Sequence, residues 1–284
     1  MYENEMQAPT FTAIVDAIPP LEAVFRHVYA VRHDAEAQPV VQQLLPNYEM
    51  LVGFNFGTDV PIRLGGQAFS IHHTAIIGPL DKTLAYEVRP GADLMVVVFT
   101  LNGFYRLMGH QLKTGMADIR LTSPQLESVT LVSLWEELAN RPTLYERISH
   151  VNAYALTQLM PADDVTRRMP ADVGYFETTA VDPVKGMAGD RQLTPRSVQQ
   201  RMKTHLGYSA KELTRFLRFR KLIDRLMEAR PSAVDWQALV TEFGYYDQPH
   251  LSRDFQYFLG LSPRRFLAEL ARGGLCVARR GKFY

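Results

Sequence analysis

Cysteine is almost absent: the 284-residue chain has one, Cys276. A single thiol cannot close an internal disulfide or build a Cys-based zinc centre, which points to a reducing, cytoplasmic setting. No stretch approaches the ~20 apolar residues that a bilayer-spanning helix needs, so no membrane role is expected. The start, Met1-Tyr2-Glu3-Asn4-Glu5, is acidic and has no apolar core, unlike a secretory signal. The nucleophile elbow, the Walker loop, H-E-x-x-H and the dinucleotide glycine motif are all missing. Nothing therefore supports an enzyme, and no cofactor is expected. With 46% hydrophobic and 21% charged residues, the composition is that of a globular chain long enough for two domains.

The net charge of +1 hides an asymmetry. Residues 1–180 hold 12 basic and 20 acidic side chains, whereas residues 181–284 hold 19 and 10, so a half of −8 precedes a half of +9. An acidic domain joined to a basic one points to a polyanionic partner, with a merely solvated basic face as the alternative.

The basic half repeats itself. Leu193–Ser209 aligns with Tyr246–Ser262 at an offset of 53 residues. Thr194 falls on Asp247, both side chains that cap the first turn of a helix. Pro195 and Pro249 lie just inside the two helices, where a missing N–H costs little. Val198, Met202 and Leu206 repeat at i, i+4, i+8, as do Leu251, Phe255 and Leu259, so each helix has one apolar stripe. Gly207 and Gly260 stop the helices. The opposite faces carry Arg196, Ser197, Gln199, Gln200 and Lys203 in the first copy. In the second they carry Gln248, His250, Ser252, Arg253 and Gln256. These side chains suit phosphates and base edges in a major groove.

Each helix has a shorter one before it, Asp182–Ala188 in the first copy and Trp236–Phe243 in the second, the latter closed by Gly244. A short helix, a turn and a helix with a polar face make a helix-turn-helix. The spacing predicts one long helix between the copies, opened by an S-x-x-E capping box at Ser209 and Glu212 and running from Ala210 to about Ala229. Roughly 20 residues at 1.5 Å give a rod of about 30 Å. That is close to the ~34 Å between successive major-groove faces on one side of B-DNA. Leu213, Phe216, Leu217, Phe219, Leu222, Ile223, Leu226 and Met227 form its buried side. Arg215, Arg218, Arg220, Lys221 and Arg225 are read either as phosphate contacts or as solubilising charge.

Phe243–Phe266, with its glycine-aromatic turn, Asp cap, Ser-Arg-x-Phe helix and Gly-x-Ser-Pro end, resembles the second helix-turn-helix signature of the AraC/XylS family of bacterial transcription regulators. Leu193–Leu213 resembles the first. The resemblance covers about residues 170–270 and implies a seven-helix DNA-binding unit. Two departures stand out. Lys185–Asp190 contains two glycines where a helix is expected, each costing about 1 kcal/mol relative to alanine. Asp254 places a carboxylate in the second recognition helix, near where phosphates would lie.

The acidic half is β-rich from about Leu21 to Gly109. Strand candidates are 50–56, 61–64, 68–77, 84–88 and 94–100, broken by Gly65-Gly66, Gly78-Pro79 and Pro90-Gly91. A short helix over 104–109 and amphipathic helices over 124–139 and 143–160 follow. This half is similar to an N-terminal domain of one AraC-type subgroup, through Leu45–Glu49 and the strand-to-helix stretch Val97–Gly109, which implies a sensory or dimerisation module.

Tyr48, Glu49, His72 and Tyr86 are candidate ligand-binding residues of a barrel pocket, with surface and core positions as the alternative. His72 and His73 are adjacent, so in a strand they point to opposite faces, and no metal site is expected. Cys276, in an Arg/Lys-rich tail, is read as a terminal thiol without a redox role.

The expected fold is α+β: a small N-terminal β-barrel or sandwich with helices, then an all-α double helix-turn-helix domain. The expected boundaries are 1–160, a linker at 161–170, a DNA-binding domain at 171–270 and a basic tail at 271–284. The expected partner is double-stranded DNA, together with a small-molecule effector, a second copy of the chain and RNA polymerase. The alternative is a small-molecule-binding β-barrel protein whose helical domain no longer binds DNA specifically.

Overall fold

The computed structural model describes residues 10–47, 49–78, 80, 82–100, 103–112, 125–126, 129–159, 183–190, 192–206, 209–228 and 234–272. Tyr48, Gly207, the 161–170 segment and Cys276 lie outside these. The chain forms two compact units: residues 1–41, 47–80 and 85–171 in one, residues 42–46, 81–84 and 172–284 in the other. The fold is α+β, with a β-rich N-terminal part and a helical C-terminal part.

Among the described residues, ten strands occupy the N-terminal part: β1 (Phe11–Asp16), β2 (Phe25–Arg32), β3 (Val40–Leu44), β4 (Leu51–Asn55), β5 (Val60–Leu64), β6 (Gln67–Ile71), β7 (Thr74–Ile77), β8 (Leu84–Val88), β9 (Asp93–Phe99) and β10 (Gln125–Leu126). They make one sheet of order β1-β2-β9-β4-β7-β10 and another of order β3-β8-β5-β6. The central strands β2, β4 and β9 are apolar on both faces, as strands covered on both sides must be. Their antiparallel register is set by pairs such as Tyr29↔Val96 and Gly53↔Val96.

Among the described residues, three helices of this part follow β9: α1 (Gly103–Leu112), α2 (Val129–Ala139) and α3 (Leu144–Gln158). The core joins Phe25, Phe99 and Phe104 edge to face, with centroids 5.0 and 5.3 Å apart. Gly103 is required at the start of α1, because a Cβ there would overlap the Val24 carbonyl. A full capping box at Thr143 and Glu146 starts α3. Arg147 of α3 is buried against Asp93, with Nη1 3.0 Å from each carboxylate oxygen, and its guanidinium lies 3.8 Å from the Phe56 ring centre.

Three expectations change here. The β-rich region begins earlier, with β1 pairing β2 from Phe11↔Arg32 to Asp16↔His27. Residues 68–77 are two strands, because the chain bends at His72-His73. The helix expected over 124–139 begins at Val129, and Gln125–Leu126 instead pair with Ile76 and Ala75 at the edge of β7, which satisfies backbone groups there.

The helical part contains α4 (Pro183–Asp190), α5 (Pro195–Leu206), α6 (Ala210–Glu228), α7 (Trp236–Glu242), α8 (Gln248–Leu259) and α9 (Pro263–Ala271). The α4 helix forms despite Gly186 and Gly189 because Val184, Met187 and Ala188 are buried, so packing outweighs the glycine cost. On α6, Leu213, Phe216, Phe219, Leu222, Ile223 and Leu226 are buried, while Leu217 and Met227 are only half-buried. Phe219 stacks on Phe258 at 4.7 Å and meets Phe255 edge-on at 5.2 Å, joining α6 to α8.

Candidate nucleic-acid interface

Each repeat builds its helix from the cap inward. Thr194 Oγ1 accepts from the Ser197 N–H at 3.2 Å, and Asp247 Oδ1 accepts from the His250 N–H at 2.6 Å. The second helix ends on Gly260 in the left-handed region, φ 67°, a conformation that an L side chain adopts only at a cost. Between the copies, Ser209 and Glu212 form the capping box read from sequence: Ser209 N–H and Oγ donate to Glu212 Oε2 at 2.9 Å, and the Glu212 N–H donates to Ser209 Oγ at 3.3 Å. The α6 helix spans 19 residues, about 28 Å at 1.5 Å per residue.

The buried stripes are Val198 and Met202 on α5, and Leu251, Phe255 and Leu259 on α8. Opposite them on α5, Arg196, Gln199, Gln200 and Lys203 are exposed and Ser197 is half-buried. On α8, Gln248, Arg253 and Gln256 are exposed and Ser252 is half-buried. His250 turns partly inward: its ring centre is 5.2 Å from that of Tyr245, and its Nε2 lies 3.4 Å from Arg218 Nη2. Tyr246, directly before the Asp247 cap, is 92% exposed. Sequence reasoning did not single it out, because a turn aromatic next to an apolar run reads as core.

Asp254 corrects the sequence reading. It does not project toward phosphates. It is 1% exposed and points inward, where Oδ1 accepts from Arg215 Nε at 2.7 Å and Oδ2 lies 3.4 Å from Arg218 Nη2. Arg215 also lies over the Tyr257 ring at 4.2 Å, and Arg218 over the Tyr245 ring at 4.2 Å. Burial, reinforced by the Asp254 carboxylate, pushes the Tyr245 phenol well above its ordinary pKa. A signal was present in the sequence: Asp254 is three residues after Leu251 and so shares its apolar stripe. Of the other α6 cations, Arg220 is 3.9 Å from Asp224 and Arg225 is 3.8 Å from Glu242, while Lys221 is exposed.

The candidate ligand-binding residues take separate partners. His72 pairs with Asp59 at 2.9 Å, with both side chains about half exposed. Tyr86 is buried with its hydroxyl 3.2 Å from that of Tyr29. Glu49 pairs with Arg26, and Tyr48 lies outside the described residues. His73 packs on Trp135, with ring centres 4.3 Å apart. Among the described residues no cluster of three or more His, Cys, Asp or Glu is placed to hold a metal. No described helix is long and apolar enough to cross a membrane.

Residues 187–269 match a family described as a helix-turn-helix domain. No curated protein sequence matches the chain. Among solved structures, ToxT from Vibrio cholerae (at 1.65 Å resolution) is similar with 8% identity and a TM-score of 0.42, covering 85% of this chain and 96% of that one. An unsaturated fatty acid-bound ToxT from Vibrio cholerae strain SCE256 gives 10% identity, a TM-score of 0.40 and coverage of 86% and 94%. The AraC-like transcriptional activator CuxR gives 10% identity, a TM-score of 0.24 and coverage of 79% and 89%.

Proposed function

We propose that this chain, whose residues 187–269 are a helix-turn-helix domain of the AraC type, is a sequence-specific DNA-binding transcription regulator that works in the cytoplasm and acts through RNA polymerase. One observation carries the reading. Two helices 53 residues apart are each capped at the same repeat position, bury the same stripe and expose a polar face that carries Arg and Gln, joined by Lys203 on the first. Such faces supply bidentate donors to guanine and adenine edges together with cations for phosphates. Arg196, Gln199, Gln200 and Lys203, with Ser197 at their margin, form the first reading surface. Gln248, Arg253 and Gln256, with Ser252 and His250 at their margin, form the second.

The N-terminal unit supplies pairing between copies. On α3, Tyr145 is 64% exposed and Leu156 is 50% exposed, together on one flank of the stripe formed by buried Ile148, Val151 and Ala155. Exposed large apolar groups aligned on one helix suit a second subunit better than water.

The experiment is competition between fragments of the source genome and randomised duplex for the purified full chain. A regulator retains a few fragments against excess random duplex. Equal displacement by all fragments would leave a non-specific binder, and no salt-dependent binding at all would leave a protein whose helical domain does not act on DNA.

A further inference from the structure

Asp254 is the one described acidic side chain buried in the helical part, and both of its oxygens face cations of another helix. Arg215 and Arg218 are three residues apart and so share one face of α6. Arg215 Nε reaches Oδ1 at 2.7 Å, and Arg218 Nη2 approaches Oδ2 at 3.4 Å. Each guanidinium is flattened against a tyrosine, Tyr257 for Arg215 and Tyr245 for Arg218. Arg218 reaches further, with Nη1 donating to the Gly244 carbonyl of the turn at 3.4 Å and Nη2 3.4 Å from His250 Nε2. One arginine thus touches the turn, the first turn of α8 and the middle of α8.

The geometry points to Asp254, Arg215 and Arg218 as a clamp that positions α8 for base reading, which takes these two arginines out of the set of phosphate contacts. This inference rests on the reading of α8 as a recognition helix. Aromatic packing alone fixes the distance between α6 and α8, but a ring against a ring tolerates sliding along the helix axis. Directional hydrogen bonds from a planar guanidinium to a buried carboxylate do not. The clamp therefore sets the rotation and axial position at which Gln248, Arg253 and Gln256 meet a groove. In the first repeat the position 53 residues earlier is Arg201, of opposite charge, so the device belongs to the second hairpin alone.

Phosphate contact and positioning have different signatures in salt. A cation on a phosphate releases a counterion, and its loss reduces the slope of log K against log salt by about 0.9. A positioning group changes affinity without changing the slope. The test uses the full chain with Arg215→Gln, Arg218→Gln and Asp254→Asn, titrated against the duplex that the unsubstituted chain selects from a randomised pool. The expected result is a loss of about tenfold or more in each variant at an unchanged slope. The penalties for base changes under α8 shrink while those under α5 persist, and amide exchange quickens in α8 before α5. Arg215→Gln and Arg218→Gln alter partly exposed side chains, so they carry the test where Asp254→Asn does not fold. A slope reduced by about 0.9 per arginine places them on phosphates and overturns the clamp. Unchanged affinity with unchanged α8 exchange overturns it as well. If the unsubstituted chain selects no duplex, the recognition reading fails with it, and that failure is seen before any variant is made.

Discussion

At the residue scale, the side chains of α5 divide by what they would touch. Replacing Arg196 or Gln200 by alanine is expected to flatten base preference, at about 1–3 kcal/mol where the side chain reads a base. Lys203→Ala should weaken all duplexes alike and reduce the salt slope by about 0.9. Anisotropy titrations at several salt concentrations separate the two, and identical behaviour of all three variants would remove the assigned face. Tyr245 offers a second check. Burial raises its pKa on folding, so the neutral phenol is the favoured native form. Its contribution is complete below the unfolded value of about 10 and is lost as pH rises past it. Unfolding of the helical part should therefore become easier above about pH 10, and Tyr245→Phe should blunt that loss. An unchanged alkaline limb in the variant would contradict the burial seen for the phenol.

At the element scale, the helices were legible because their ends and their stripes agree. Thr194, Ser209 and Asp247 cap as the sequence suggests, and Val198, Met202, Leu251 and Phe255 are buried as their spacing requires. The exposed polar faces could be placed on the same grounds, since the face opposite a buried stripe is exposed. What one dimension does not carry is the direction of a charged side chain within a stripe. Asp254, expected near where phosphates would lie, is held inward by two cations 36 and 39 residues away. Strands were harder for the same reason. β1, Phe-Thr-Ala-Ile-Val-Asp, has no clean alternation of apolar and polar residues and is defined by its pairing with β2, while the break at His72-His73 falls within a stretch that has no turn residue. The repeat itself makes a prediction. Val198→Asp and Leu251→Asp each bury a lone charge, at several kcal/mol. Calorimetry or amide exchange should show each substitution loosening its own hairpin first, and equal loosening of both by either one would mean the two hairpins are not separate packing units.

At the scale of the whole molecule, an acidic β-rich part of −8 precedes a basic helical part of +9. In the proposed reading the first pairs copies, which would make affinity for a two-part site depend on protein concentration. Leu156→Glu on α3 should shift sedimentation toward the monomer and weaken binding to the selected duplex while leaving the melting of the helical part unaltered. A variant that stays paired would move the interface off this helix.

The central claim is that one hairpin, present twice, reads two neighbouring faces of the double helix. It is tested most directly by repeating the duplex selection with Arg196→Ala and with Arg253→Ala and comparing which base positions lose their preference. The account predicts two separate clusters of relaxed positions, one per substitution, with centres about 10–10.5 base pairs apart. Relaxation of one shared cluster by both substitutions, or of none by either, would contradict it.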